Sequence, residues 1–206
     1  LHWSERHTTR EAHKLPKDWE DQCRKAILRL VHDIKEYDIP SSLFVNTDQT
    51  QMVYAQGTKL TWAPTGSKQV PVTGKEEKRA VTLCVSVSND GKLLPFQAVY
   101  QGQTKASTPA ASASFYKETC DAGMRFEYGT ASSYWSNQRT MRTLVTDIIA
   151  PYFDRMRREA DPPLPPMQKA LWQIDVWSVH RSEEFRTWMR TEHPNILLHF
   201  VPGGCT

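Results

Sequence analysis

Two aspartates constrain what this chain can fold into more than any other feature. Asp48 stands in LFVNTDQTQMVY and Asp175 in ALWQIDVWSVH, each where a short apolar run opens into polar chain. A carboxylate so placed sits at the rim of a sheet, where its desolvation is costly unless a cation stands opposite. Two such groups on adjacent strands, about 4.8 Å apart, can share one divalent ion. The positions differ by 175 − 48 = 127 residues, so only a fold that returns the chain to its first strand brings them together. A purely local role competes with this reading, because Asp at a strand end often accepts backbone N–H bonds in turns and caps.

At 206 residues the chain suits one domain with an attached arm and is long enough to bury a core. A net charge of +3 permits a nucleic-acid partner without demanding one, since dense Lys/Arg runs are lacking. Cys23, Cys84, Cys120 and Cys205 show no C-x-x-C pair, which favours reduced intracellular thiols over disulfides or zinc. His2, His7 and His13 form no H-E-x-x-H pattern, and they receive no role. No apolar run is long enough to span a membrane and no signal peptide is evident. A start at Leu1 and a stop at Thr206 just after an apolar run suggest a segment of something longer.

Along the chain, Trp19, Cys23, Ile27, Leu30 and Ile34 recur at helical intervals before Pro40, predicting an amphipathic helix. SLFVN reads as a buried strand that QMVYA continues, with a bulge or bend expected at the polar DQT step. Residues 57–74 read as a loop or small ribbon. Residues 79–88, an Asn-Asp-Gly turn and residues 92–100 predict an antiparallel hairpin. Residues 101–136 lack periodicity and read as an irregular connection. Met141, Leu144, Val145, Ile148, Ile149 and Phe153 mark a second amphipathic helix, broken by DPPLPP. A strand over 170–176, a short helix capped by Ser182 and a last strand over 196–201 complete the order. A hairpin-linked trio followed by parallel additions through helices gives an α/β, ribonuclease H-like mixed sheet with an early antiparallel hairpin and flanking helices. In that layout strands one and four are neighbours, and they carry Asp48 and Asp175.

Several segments carry a family likeness in a fixed order: NTDQTQMVY, the WAPTGSKQV stretch from Trp62 to Val70, GKEEKRAVT, LLPFQAVYQG, DVWSVHRSEEF and FVPGGCT. Through them the chain resembles the DDE superfamily endonucleases of pogo-type transposons, in the mariner group that includes transposase-derived relatives of centromere protein B. The resemblance spans most of 43–206. It implies that Asp48 and Asp175 are the first two catalytic acids and hold Mg²⁺ or Mn²⁺. The implied chemistry is phosphodiester hydrolysis and strand transfer with two ions about 4 Å apart, one activating the nucleophile and one stabilising the leaving oxygen. The implied partners are transposon-end and target DNA, with a homo-oligomer assembling on it, and the implied location is the nucleus.

The family's third acid follows its Pro-Gly-Gly-Cys-Thr stretch, and nothing follows Thr206 here. The expected organisation is therefore a helical arm over 1–41 and a core over 42–206 that stops before the third acid and is inactive in this form. Glu183 and Glu184 fall in the first turn after Ser182, where acids complement the helix dipole. His180 is expected either to orient a phosphate or a metal-bound water or to hydrogen-bond a loop carbonyl. Gln49 and Thr50 are expected either in a turn or as hydrogen-bond partners of ligand water, and Trp177 in packing. Lys59, Lys68, Lys75, Lys78 and Arg79 either contact DNA backbone, with Trp62 stacking on a base, or form a solvated loop. Two other functions compete with the endonuclease: a noncatalytic domesticated DNA- or chromatin-binding module, and a ribonuclease H-type RNA hydrolase.

Overall fold

The computed structural model describes residues 16–54 and 80–204. Six strands within them form one mixed sheet: β1 (Phe44–Val53), β2 (Ala80–Ser88), β3 (Gln97–Tyr100), β4 (Arg125–Tyr128), β5 (Ala170–Asp175) and β6 (Ile196–Val201). Their spatial order is β4-β3-β2-β1-β5-β6. Strands β1 to β3 are antiparallel neighbours, whereas β5 joins β1, and β6 joins β5, in parallel. This is the ribonuclease H-like layout, with the first strand beside the strand that carries the second acid.

Alternation along β1 sends Val45 and Thr47 to the buried face and leaves Asn46 and Asp48 exposed on the other. The buried face is covered by α3 (Gln138–Leu144), α4 (Ala150–Glu159) and α6 (Glu183–Glu192). There Trp172 meets Phe185 edge-on at 6.4 Å between ring centroids. Asn137 caps α3 reciprocally, accepting from Thr140 N at 3.1 Å while its own N–H donates to Thr140 Oγ1 at 2.8 Å. A π-helical turn, Val145–Ile149, joins α3 to α4. Pro151 sits in the first turn of α4, and its missing donor and ring bulk account for the widened turn before it. On the opposite face α1 (Trp19–Glu36) lies against β6, where His199 Nε2–H donates to the Ala26 carbonyl at 3.0 Å.

Four local expectations are corrected. The β1–β2 register runs unbroken from Val45↔Ser88 to Val53↔Ala80, so no bulge interrupts the polar DQT step, and Gln49 and Thr50 are strand residues rather than a turn. The returning arm of the hairpin is interrupted: Leu93 bridges Val87, but β3 begins only at Gln97, because Pro95 between them offers no N–H to the ladder. Residues 101–136 are not merely irregular. They contain α2 (Tyr116–Asp121) and the edge strand β4, held by Phe126 against Tyr116 and Tyr100 at 5.5 and 6.2 Å. In α1, Trp19 and Ile27 are 39% and 58% exposed, whereas Leu30 and Ile34 pack against the core. The helix touches only the sheet edge, so its contact stripe is Gln22, Ala26, Leu30 and Ile34, narrower than the predicted one and displaced from it.

Candidate metal centre

The two acids are positioned by one continuous register. Phe44, Val45 and Asn46 pair with Leu171, Trp172 and Gln173, and Asn46 Nδ2 donates to Gln173 Oε1 at 3.3 Å on the exposed face. Asp48 and Asp175 come one pleat further along each strand, on that same face. The β1–β5 ladder ends at Asn46↔Gln173, so the strands part where the carboxylates stand. Beneath them a buried polar chain ties three strands: Trp172 Nε1–H donates to Thr47 Oγ1 at 2.7 Å, and that hydroxyl shares a hydrogen bond with the Ser86 hydroxyl at 2.7 Å.

Each carboxylate is steadied by one neighbour. Asp48 Oδ1 accepts from the Gln49 N–H at 2.8 Å. Asp175, about half exposed, faces His180, whose Nδ1 lies 3.0 Å from both Asp175 Oδ1 and its backbone carbonyl. His180 itself is buried, packed edge-on against Trp177 at 5.4 Å. Burial lowers its pKa and outweighs the opposing pull of Asp175. The ring is therefore neutral near pH 7, with the proton on Nδ1, because both groups facing that nitrogen are acceptors. Its Nε2 has no hydrogen-bond partner among the described residues. Both alternatives for His180 put it near the acid, and the geometry gives it a carbonyl and a carboxylate together.

The donor set suits a hard divalent ion. Among the described residues no hydrogen bond or ion pair uses Asp48 Oδ2 or Asp175 Oδ2, which leaves oxygen ligands of the kind Mg²⁺ and Mn²⁺ prefer. Two carboxylates are an incomplete shell, however, and among the described residues no group of three or more His, Cys, Asp or Glu could hold a metal. Glu183 and Glu184 do not complete it. Ser182 caps α6 by accepting from Phe185 N at 3.2 Å; Glu183 pairs with Arg186 and Arg190, and Glu184 with Arg142. Lys59, Lys68, Lys75, Lys78 and Arg79, with Trp62, lie outside the described residues.

Sequence reasoning missed the two features that fix the centre from below, the Asn46–Gln173 amide pair and the Thr47–Ser86–Trp172 chain. The polar alternation Asn46, Asp48 was a signal for the first; nothing local signalled the second.

No family model and no curated protein matches the chain. Solved structures do. A pre-cleavage Mos1 transpososome superposes with a TM-score of 0.54 at 11% identity, over 98% of this chain and 48% of that one. A Mos1 transposase paired-end complex with the left transposon end gives 0.52 at 12%, over 98% and 48%. A Mos1 mariner paired-end complex with Mn gives 0.52 at 11%, over 97% and 47%. At these identities the likeness is one of fold, and the chain spans about half the length of the structures it matches.

Proposed function

We propose that this chain is the core of a DNA endonuclease and integrase of the DDE type, from the pogo-type, centromere protein B-related branch, that works on transposon-end and target DNA in the nucleus. The observation that carries the reading is the shared register that brings Asp48 and Asp175 to one face at the parting of β1 and β5. The fold likeness to Mos1 transposase complexes, one of them described with Mn, supports it.

In this reading Asp48 and Asp175 hold Mg²⁺ or Mn²⁺ through their open oxygens, and a third carboxylate from outside the described residues completes the shell. The ion, when bound, supplies Lewis-acid polarisation of the scissile phosphate. The Gln49 N–H fixes the rotamer of Asp48. His180 Nδ1–H holds Asp175 and the carbonyl at the strand end in one orientation, acting as a positioning residue rather than a base. The Thr47 chain keeps the two strands from shearing, which matters because misplacement by about 1 Å can cost a hundredfold in rate. Within the described residues α1 serves as a helical arm beside this core, and pairing of two copies on DNA follows from the same reading.

The test is Mn²⁺-dependent nicking of transposon-end duplex by a chain carrying a third acid. Asp48→Asn and Asp175→Asn should each abolish nicking while melting normally. Nicking that survives either substitution refutes the site. The absence of a three-group metal cluster among the described residues favours a second reading, a noncatalytic DNA- or chromatin-binding module, which predicts DNA binding that is indifferent to both substitutions and to Mn²⁺.

A further inference from the structure

We infer that the groove between α1 and the outer end of β5 and β6 takes the phosphodiester backbone of duplex DNA as it leaves the two acids. The inference rests on the DNA reading above and adds where the strand lies. Two cavities of about 410 and 520 Å³ adjoin there and share Gln22, Val176, Phe200 and Pro202 as walls. Val176, a wall of both cavities, directly follows Asp175 in the chain, so the groove lies one residue beyond the candidate centre.

Its charge is unbalanced in one direction. Lys25 and Arg29 project from α1 on one side, and Arg181 and Arg186, from α5 (Ser178–Arg181) and α6, stand on the other. Lys25 is neutralised by Asp21 at 2.6 Å and Arg186 by Glu183 at 2.6 Å. The side chains of Arg29 and Arg181 have no ion-pair or hydrogen-bond partner among the described residues and are exposed. Asp33 is the one acid among the lining residues. Guanidinium groups present a planar fork that matches phosphate oxygens, and the apolar walls of Phe200 and Pro202 strengthen the attraction by excluding water. The two unpaired groups line different cavities. A single small anion would use one of them; a chain of phosphates uses both.

The experiment is fluorescence anisotropy of the 206-residue chain on a labelled DNA duplex in EDTA, with potassium chloride varied. Each phosphate contact contributes about 0.9 to the slope of log K against log salt, so Arg29→Gln with Arg181→Gln should lower that slope by roughly 1.8. Binding at fixed salt should weaken at least tenfold, and Arg29→Lys with Arg181→Lys should retain the wild-type slope. Lys117→Gln, on α2 near the opposite sheet edge, should leave the slope unchanged. An unchanged slope in the double Gln variant, with wild-type binding intact, overturns the groove and leaves the DNA reading standing. No binding by the wild-type chain overturns both.

Discussion

The amide of Asn46 donates to Gln173 across 127 residues of sequence, the same offset that separates Asp48 from Asp175. This contact is the last rung below the two acids, and it converts a distant sequence relationship into a local one. Any slip of β5 against β1 by one residue would break the amide pair and turn Asp175 to the buried face. The Trp172–Thr47–Ser86 chain on the other side of the sheet opposes the same slip. The candidate centre is thus held in register from both faces.

In the proposed centre the two carboxylates share one ion and repel each other until it joins them. Without metal, Asp48→Asn or Asp175→Asn should therefore leave the melting temperature unchanged or raise it slightly. With Mn²⁺ at a hundred times its dissociation constant, the wild-type chain should gain about 2.7 kcal/mol of stability, and each variant should lose most of that gain. Thermal melts with and without Mn²⁺ check this. Equal metal-induced stabilisation in all three proteins would place the ion elsewhere.

Thr47→Val keeps the shape of the buried side chain and removes its hydroxyl. Trp172 Nε1 then loses its acceptor and Ser86 Oγ its hydrogen-bond partner. Leaving two buried groups unsatisfied should cost about 2–4 kcal/mol, and pairing the change with Ser86→Ala should recover part of it. Urea denaturation of the single and double variants measures both quantities. An additive double variant would mean that the chain is not a coupled unit.

The features legible in the sequence were those with strong periodicity or a strong breaker. LFVN and ALWQI are apolar runs ending at an acid, and the helix over 138–159 is bounded by Asn137 and the proline run. What stayed hidden depends on partners far along the chain. Strand β4 is only Arg-Phe-Glu-Tyr, half-buried throughout, and it exists because β3 offers it a free edge. The contact stripe of α1 differs from the predicted one because apolar spacing alone does not fix which face is buried. Ile27, Leu28 and Val31 keep the helical period yet stand exposed, since β6 is the edge strand and no further sheet lies beside it among the described residues.

Stability should fall on mild acidification, and the sign comes from two histidines. Burial depresses the pKa of His180 and of His193 below the ordinary 6.5. The unfolded chain takes up protons near that pH while the folded chain refuses them until lower pH, so unfolding binds protons in between. Stability is full above about pH 6.5 and declines below it, by about 1.4 kcal/mol for each tenfold loss of proton affinity at buried His180 and by less at half-buried His193, whose charge water screens. Urea midpoints at about pH 8, 6.5 and 5.5 should show this slope, and His180→Gln should flatten it. A profile that rises on acidification would contradict the neutral, Nδ1-protonated ring.

Cys84 offers a chemical report on the sheet beneath the centre. It lies fully buried on β2 opposite Gln49, the residue after Asp48. Burial pushes its thiol up to about 11 from an ordinary 9.0, with the charge of Asp48 adding to the effect and the Ser136 hydroxyl opposing it. The reactive thiolate is then about a hundredfold scarcer than for an ordinary cysteine, quite apart from the lack of access. Cys23 and Cys120 are free thiols and only half-buried. Iodoacetamide at about pH 8 should therefore alkylate Cys23 and Cys120 promptly and Cys84 only as fast as β2 separates from its neighbours. Peptide mapping over time distinguishes the three sites, and added urea should accelerate Cys84 selectively. Labelling of Cys84 at the rate of Cys120 in the native chain would show that the β1–β2 pairing supporting Asp48 opens freely, and the rigid placement of the first acid would fall with it.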